Sequence, residues 1–162
     1  MRLFSAENLS GYQLCSCLIM HNHFKMQFRM CMNNSGLKLA KAYKQKIKVI
    51  INIISDIDNQ ASMDLCNLIG NMFDNAIEAS QNSEKRFIYF EISQKNDNLN
   101  IFLKNSIDQS VLTSNPHLQS TKKSNNHGFG TSIIKEIAMR HHGIADFYEE
   151  DNCFCCNVIA RF

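Results

Sequence analysis

Residues 64–81 read DLCNLIGNMFDNAIEASQ, and apolar side chains recur there every three or four positions. The apolar positions are Leu65, Leu68, Ile69, Met72, Phe73, Ala76 and Ile77. This spacing predicts an amphipathic helix with one broad face buried against the rest of the fold. Asp64 stands at its start, where an acidic residue serves as the N-cap or interacts favourably with the helix dipole.

The same helix carries a second, polar stripe. Its members are Asn67, Asn71, Asn75 and Glu78. Solvated helix faces usually carry Lys and Glu, because asparagine is a poorer helix former. One interpretation is a wet face in an asparagine-rich chain. The other is a ligand site, since amide oxygens suit Mg²⁺ and amide N–H groups donate to phosphate.

The segments around this helix predict an α+β fold. The predicted elements in chain order are a helix over 37–46, a strand over 48–54, the helix over 64–81, a hairpin from 86–94 and 99–105, a helix over 131–142 stopped by Gly143, and a hairpin from 144–148 and 153–159. Residues 106–126 form a polar stretch without obvious structure, which is typical of a lid or a disordered segment. The order indicates a two-layer α/β sandwich.

Composition narrows the class of protein further. The chain has 162 residues, 44% of them hydrophobic, enough for the core of one domain. A net charge of +2 without a basic block gives no support for nucleic-acid binding. No apolar run approaches the roughly 20 residues of a membrane span. Seven cysteines without a signal peptide predict reduced thiols and a cytoplasmic location.

A glycine-rich segment, TKKSNNHGFGT at residues 121–131, precedes the last predicted helix. Glycines let backbone N–H groups approach an anion closely, and the helix N-terminus adds its dipole. An ordinary glycine turn explains the pattern equally well. The segment is neither a P-loop nor a dinucleotide fingerprint, because it lacks the Gly-Lys-[Ser/Thr] ending and the third glycine.

Taken together, these segments resemble a known superfamily. NMFDNAIEA at 71–79 is similar to the N box of the gyrase/chaperone/histidine-kinase/MutL ATPases, which have a Bergerat-type fold. HGFGT at 127–131 resembles their glycine-rich box, and STKK at 120–123 resembles the lid. Within the superfamily, the amino-acid sequence of these motifs is most similar to that of AgrC-type quorum-sensing sensor histidine kinases. The resemblance covers residues 37–162 and implies a mixed, mostly antiparallel sheet with helices on one face and a flexible lid.

The resemblance implies a role for each matching residue. Asn75 would coordinate Mg²⁺, and Asn71 stands where gyrase-like hydrolases keep a catalytic glutamate. An amide cannot act as a general base, so water activation should be poor. Asn105 occupies the place of an aspartate that contacts adenine, although the rest of the Asp-x-Gly-x-Gly box is missing. The implied nucleotide-binding set is Asn71, Asn75, Asn105, Lys122, His127, Gly128, Phe129, Gly130 and Thr131, the last replacing a leucine common in the family.

The implied function is transfer of the γ-phosphoryl group of Mg·ATP to a histidine in two-component signalling. Residues 37–162 would form the ATP-binding domain, and residues 1–36 a helical remnant of a dimerisation region. His21 and His23 faintly resemble a phosphoacceptor box but are out of step by one, and an ordinary helix surface also accounts for them. The expected partners are a histidine-containing dimerisation domain or a response regulator, with a homodimer possible. The chain therefore looks like a detached kinase core, from a truncated or split gene.

Other functions stay open at this point. A nucleotide-binding regulatory module without kinase activity fits the incomplete dimerisation region. A small serine kinase of the anti-sigma type fits the length, but those proteins usually keep a glutamate at the position of Asn71. Zinc binding by Cys15, Cys17, His21 and His23 is disfavoured, because the ligand spacing differs from that of known zinc sites.

Overall fold

The computed structural model describes residues 4–5, 38–54, 62–118 and 130–162. Its strands are β1 (Phe4–Ser5), β2 (Lys48–Ile53), β3 (Phe87–Lys95), β4 (Asn98–Ser106), β5 (Ile144–Glu150) and β6 (Cys153–Ala160). Its helices are α1 (residues 38–44), α2 (Met63–Ser80), α3 (Val111–Ser114) and α4 (Gly130–Arg140). Within the described ranges, no helix is long and apolar enough to cross a membrane.

The described strands form one six-stranded sheet in the order β1-β2-β3-β4-β6-β5. β2 and β3 are parallel, with Val49 opposite Ile88, and every other neighbouring pair is antiparallel. Parallel neighbours need a crossover connection, and α2 supplies it between β2 and β3. The prediction of a mixed, mostly antiparallel sheet in an α+β fold is confirmed.

The core lies between the helices and one face of the sheet. All seven apolar positions of the predicted stripe on α2 are buried. They pack against alternate residues of the strands, and the ring centroids of Phe73 and Phe90 are 5.2 Å apart. The sheet residues on this face include Ile88, Phe90, Ile92, Leu99, Ile101, Leu103 and Val158. Full burial of each large side chain contributes about 1.5–3 kcal/mol, so this contact orients α2.

The N-cap of α2 differs from the residue named as a candidate. Ser62 is the cap, and its hydroxyl accepts a hydrogen bond from the Leu65 backbone N–H at 3.1 Å. Asp64 lies in the first turn, where its charge interacts favourably with the helix dipole. The dipole interpretation of Asp64 is therefore right and the cap interpretation is wrong, because the helix begins one residue earlier, at Met63.

The end of α4 also differs from the prediction. The helix ends at Arg140, and His142 adopts the left-handed backbone conformation with φ 53°. Gly143 is needed for a different reason: a Cβ there would lie 2.1 Å from the backbone oxygen of Ile159. Close packing of two chain segments, and not a left-handed turn, explains this glycine.

The polar stretch 106–126 has more structure than predicted over its described part, residues 106–118. α3 forms there, capped by the Ser110 hydroxyl and by the Glu149 carboxylate, which accepts from the backbone N–H groups of Val111 at 2.6 Å and Leu112 at 2.9 Å. The capping carboxylate belongs to β5, so the local sequence of α3 could not predict this cap. The remainder of the predicted lid lies outside the described residues.

The cysteines follow the expectation of reduced thiols only in part. Cys153, Cys155 and Cys156 are free, and burial raises the pKa of the Cys156 thiol to about 12, which makes it a poor nucleophile. Cys66 is disulfide-bonded, contrary to the expectation.

A polar clamp joins the start of α2 to the end of α4. The Asp64 carboxylate accepts two hydrogen bonds from Arg140 Nη1, at 2.8 and 3.0 Å, and lies 3.0 Å from His141 Nε2. The other ring nitrogen of His141 lies 2.8 Å from the backbone oxygen of Arg161, and the ring stacks on Phe162 at 4.3 Å. The hydrogen bonds from His141 and then Arg140 lower the pKa of Asp64.

The clamp predicts how stability depends on pH. A folded-state pKa below the ordinary 3.8 means that the Asp64 carboxylate stabilises the fold above that pH and loses this effect as pH falls through the folded pKa. Asp64→Asn should therefore be less stable than wild type at pH 6, and the difference should shrink below pH 4. Denaturant unfolding at pH 6, 4 and 3 measures it.

Asp97→Asn, in the exposed β3–β4 turn, is the matched control for loss of one carboxylate. An equal pH response in both variants would contradict the role assigned to Asp64.

Candidate functional site

The polar face of α2 is only partly exposed. Asn67 is exposed, whereas Asn71 and Asn75 are half-buried. The Asn71 side-chain N–H donates to the backbone oxygen of Asn67 at 2.7 Å. That bond uses the nitrogen side of the amide and leaves the Asn71 side-chain oxygen as the group that can accept or ligate.

The most informative contact joins this face to the glycine-rich segment. Gly130 is the first residue of α4, and a Cβ built on it would lie 2.5 Å from Oδ1 and 2.8 Å from Nδ2 of Asn75. Only glycine leaves room for the amide at this place. The two sequence motifs, 55 positions apart between Asn75 and Gly130, therefore meet in the fold.

Thr131 has a structural contact that sequence reasoning missed. Its hydroxyl donates to the backbone oxygen of Leu118 at 3.1 Å. The bond ties the residues that flank 119–129 to each other. A leucine at this position could not make it.

Asn105 lies at the end of β4 and is 2% exposed. It shares the helix-packed face of the sheet with Leu103, because side chains two apart along a strand point to the same side. Its Nδ2 donates to the backbone oxygen of Ser106 at 3.2 Å. The amide oxygen is thus the acceptor that Asn105 presents.

A buried serine pair holds this end of β4 in place. The hydroxyl oxygens of Ser83 and Ser106 are 2.6 Å apart, and that of Ser106 accepts from the backbone N–H of Phe87 at 3.0 Å. Nothing in the local pattern marked these two serines, since isolated serines are common on surfaces.

A lysine from α1 also reaches α2, again unnoticed in the sequence. Lys38 Nζ donates to the backbone oxygen of Gly70 at 2.8 Å and forms an ion pair with the Asp74 carboxylate. Gly70 is the residue in the sequence that could have indicated this contact, because a glycine kept inside a helix often has a packing or functional reason.

The remaining candidate residues lie outside the described part of the chain. They are Lys122, His127, Gly128 and Phe129 of the glycine-rich segment, the two histidines His21 and His23, and the cysteines Cys15 and Cys17. Among the described residues, no group of three or more His, Cys, Asp or Glu side chains could hold a metal ion. The structure thus brings together Asn75 and Gly130, with Asn71 one turn away and Asn105 on the helix-packed face.

Comparison with known families identifies the family to which this fold belongs. The sequence profile of the GHKL domain matches residues 61–160, well over half of the chain. The chain belongs to the GHKL domain family. Among curated proteins, none matches it in sequence.

Three solved structures with the same fold come from histidine kinases. The histidine kinase AdeS of Acinetobacter baumannii superposes with a TM-score of 0.64 at 10% identity, over 93% of this chain and 73% of the AdeS chain in that structure. The catalytic domain of the histidine kinase ThkA gives 0.60 at 17% identity, over 99% of this chain and 96% of that domain. The mycobacterial sensor histidine kinase MprB gives a TM-score of 0.58 at 15% identity, over 83% of this chain and 93% of the MprB chain in that structure. The chain has the fold of histidine kinase catalytic domains.

Replacing the two closely packed glycines by alanine should affect stability to different extents. Gly130→Ala should change the free energy of unfolding by less than about 1 kcal/mol, because alanine favours the helix while only the Asn75 amide must move. Gly143→Ala should destabilise by about 2–3 kcal/mol, since its Cβ meets backbone. Urea unfolding measures both. The side-chain amide resonances of Asn75 should shift in Gly130→Ala, and unshifted resonances would contradict the contact.

Proposed function

We propose that this chain is the ATP-binding domain of an AgrC-type sensor histidine kinase, which transfers the γ-phosphoryl group of Mg·ATP to a histidine. The observation that carries the proposal is the Asn75 amide lying against Gly130, since it unites the two motifs at one place. GHKL domains bind ATP. A further similar structure, full-length ShkA, is a complex with AMPPNP, with a TM-score of 0.61 at 11% identity.

The side chains present are suited to a magnesium nucleotide. Mg²⁺ takes oxygen ligands and keeps several waters and substrate phosphates in its coordination shell, so few protein ligands are needed and the Asn75 amide oxygen would serve as one of them. The ion would neutralise charge on the phosphate oxygens when bound. We assign Lys122 and the backbone of residues 128–130 to closing over the triphosphate, and His127, Phe129 and Thr131 to the same nucleotide-binding set.

Asn71 fits phosphoryl transfer better than hydrolysis. The Asn71 side-chain N–H donates a hydrogen bond to a backbone oxygen, and the side chain has no basic group with which to activate water. ATP would therefore be kept for a protein acceptor.

Asn105 presents its amide oxygen, the atom that would accept a hydrogen bond from the adenine amino group.

We place the ATP-binding domain at 37–162 and an N-terminal helical segment at 1–36. The acceptor would be a histidine on a dimerisation domain in trans, and the next partner a response regulator. His21 and His23 remain candidate acceptors within this proposal, and a homodimer is one way to bring them to a neighbouring site.

Asn75→Ala should lower the affinity for Mg·ATP by at least about tenfold, because it removes the ligand proposed for the metal. Asn67→Ala, on the same polar stripe but exposed, is the matched control and should bind as wild type does. Isothermal titration calorimetry with and without Mg²⁺ measures the affinities, and circular dichroism confirms that the helices are intact. Unchanged affinity in Asn75→Ala would exclude this residue as the ligand.

Incubation with γ-labelled ATP and a histidine-containing dimerisation domain tests the transfer itself. We expect label that is lost in acid and stable in base, as phosphohistidine is. Nucleotide binding without any label would favour a regulatory module. Acid-stable phosphoserine on a partner would favour a serine kinase of the anti-sigma type.

A further inference from the structure

A lysine of α1 makes polar contacts with the helix that carries the proposed nucleotide site. Lys38 Nζ donates to the Gly70 backbone oxygen at 2.8 Å and pairs with the Asp74 carboxylate. The Lys38 side chain is 23% exposed and that of Asp74 is 53% exposed. Because residues four apart are neighbours along a helix, both acceptors belong to one turn of α2.

Gly70 is what allows the ammonium group to come this close. The residue is buried in the middle of α2, where glycine costs about 1 kcal/mol relative to alanine. A Cβ built on it would lie 3.3 Å from Lys38 Nζ, closer than most such contacts. The intrinsic stability of the helix is therefore lower at the position where Lys38 approaches its backbone.

The contacted turn also carries Asn71 and Asn75, which the proposed function assigns to the nucleotide site. Asp74 directly precedes Asn75 and follows Asn71 by three positions. At 3.6 residues per turn, Asp74 lies about 60° around the helix from Asn71. An uncompensated carboxylate at this position would repel a triphosphate, and Lys38 supplies the compensating charge.

We propose that Lys38 is a positioning residue of the nucleotide site, which neutralises Asp74 and holds the Gly70–Asp74 turn so that affinity for the triphosphate depends on the placement of α1. This inference rests on the proposed function and adds a route of regulation to it. A shift of α1 that withdraws the ammonium group would expose the Asp74 charge to the phosphates and weaken binding. The segment upstream of α2 can thereby modulate the site without touching the nucleotide.

A purely structural tie is the alternative, and ligand charge distinguishes the two. Exposed ion pairs contribute little to folding stability, about 0–1 kcal/mol. A structural tie would affect adenosine and ATP alike. Charge compensation affects ligands in proportion to their phosphate charge and weakens as salt is added.

The test compares Lys38→Met, Lys38→Arg, Asp74→Asn and the double variant Lys38→Met/Asp74→Asn with wild type. Lys44→Met, an exposed lysine of α1, is the matched control for loss of one positive charge. Calorimetry gives the affinity for Mg·ATP, NMR titration gives that for adenosine, and thermal unfolding confirms that each variant is folded.

Lys38→Met should bind Mg·ATP about five- to tenfold more weakly at low salt, a typical size for coupling between neighbouring sites. Its affinity for adenosine should stay within about twofold of wild type, given that adenosine carries no charge. The double variant should regain the affinity of Asp74→Asn, and Lys38→Arg should bind nearly as wild type does.

Equal losses for ATP and adenosine, or a double variant no better than Lys38→Met, would overturn the inference and leave the proposed function intact. A folded Asp74→Asn that loses affinity as Lys38→Met does would also overturn it. Failure of wild type to bind Mg·ATP would overturn the proposed function and this inference together.

Discussion

Burial of the apolar stripe of α2 against the sheet is the constraint on which the rest of the structure depends. Helix geometry places side chains at fixed angles around the axis, so burying Leu68 and Phe73 decides where every other residue of α2 points. Asn71 and Asn75 are thereby left half-buried at the margin of the core. The polar face is thus a consequence of the packing that stabilises the domain.

The α2–α4 pair is held at two places. Asp64 meets Arg140 and His141 at one end, and Asn75 meets Gly130 at the other. Asn75 follows Asp64 by eleven positions along α2, a rise of about 16 Å, and Arg140 follows Gly130 by ten positions along α4, a rise of about 15 Å. The matching lengths show two antiparallel helices in register. A clamp distant from Asn75 and Gly130 therefore helps to set the spacing of groups proposed to bind the magnesium nucleotide.

Under the proposed function, these groups would contribute positioning and charge neutralisation. Phosphoryl transfer has a loose transition state that needs little covalent participation by the protein. Amides and backbone N–H groups suit this task, because they bind oxygen anions and metal ions without activating water. The ion pair of Lys38 with Asp74 fits the same scheme, since it balances a carboxylate close to the amides.

The sequence alone determined α2, the two hairpins, the α+β class and the motifs, because period and turn chemistry are local properties. It could not determine contacts between distant residues. The Glu149 cap on α3 spans 38 positions, the Lys38 contact with Gly70 spans 32, and the Asn75–Gly130 approach exists only once α2 and α4 pack together. Even the reason for Gly143, a backbone oxygen of β6, became visible only in three dimensions. Such contacts depend on which surfaces meet after the core is buried, and tertiary packing alone decides that.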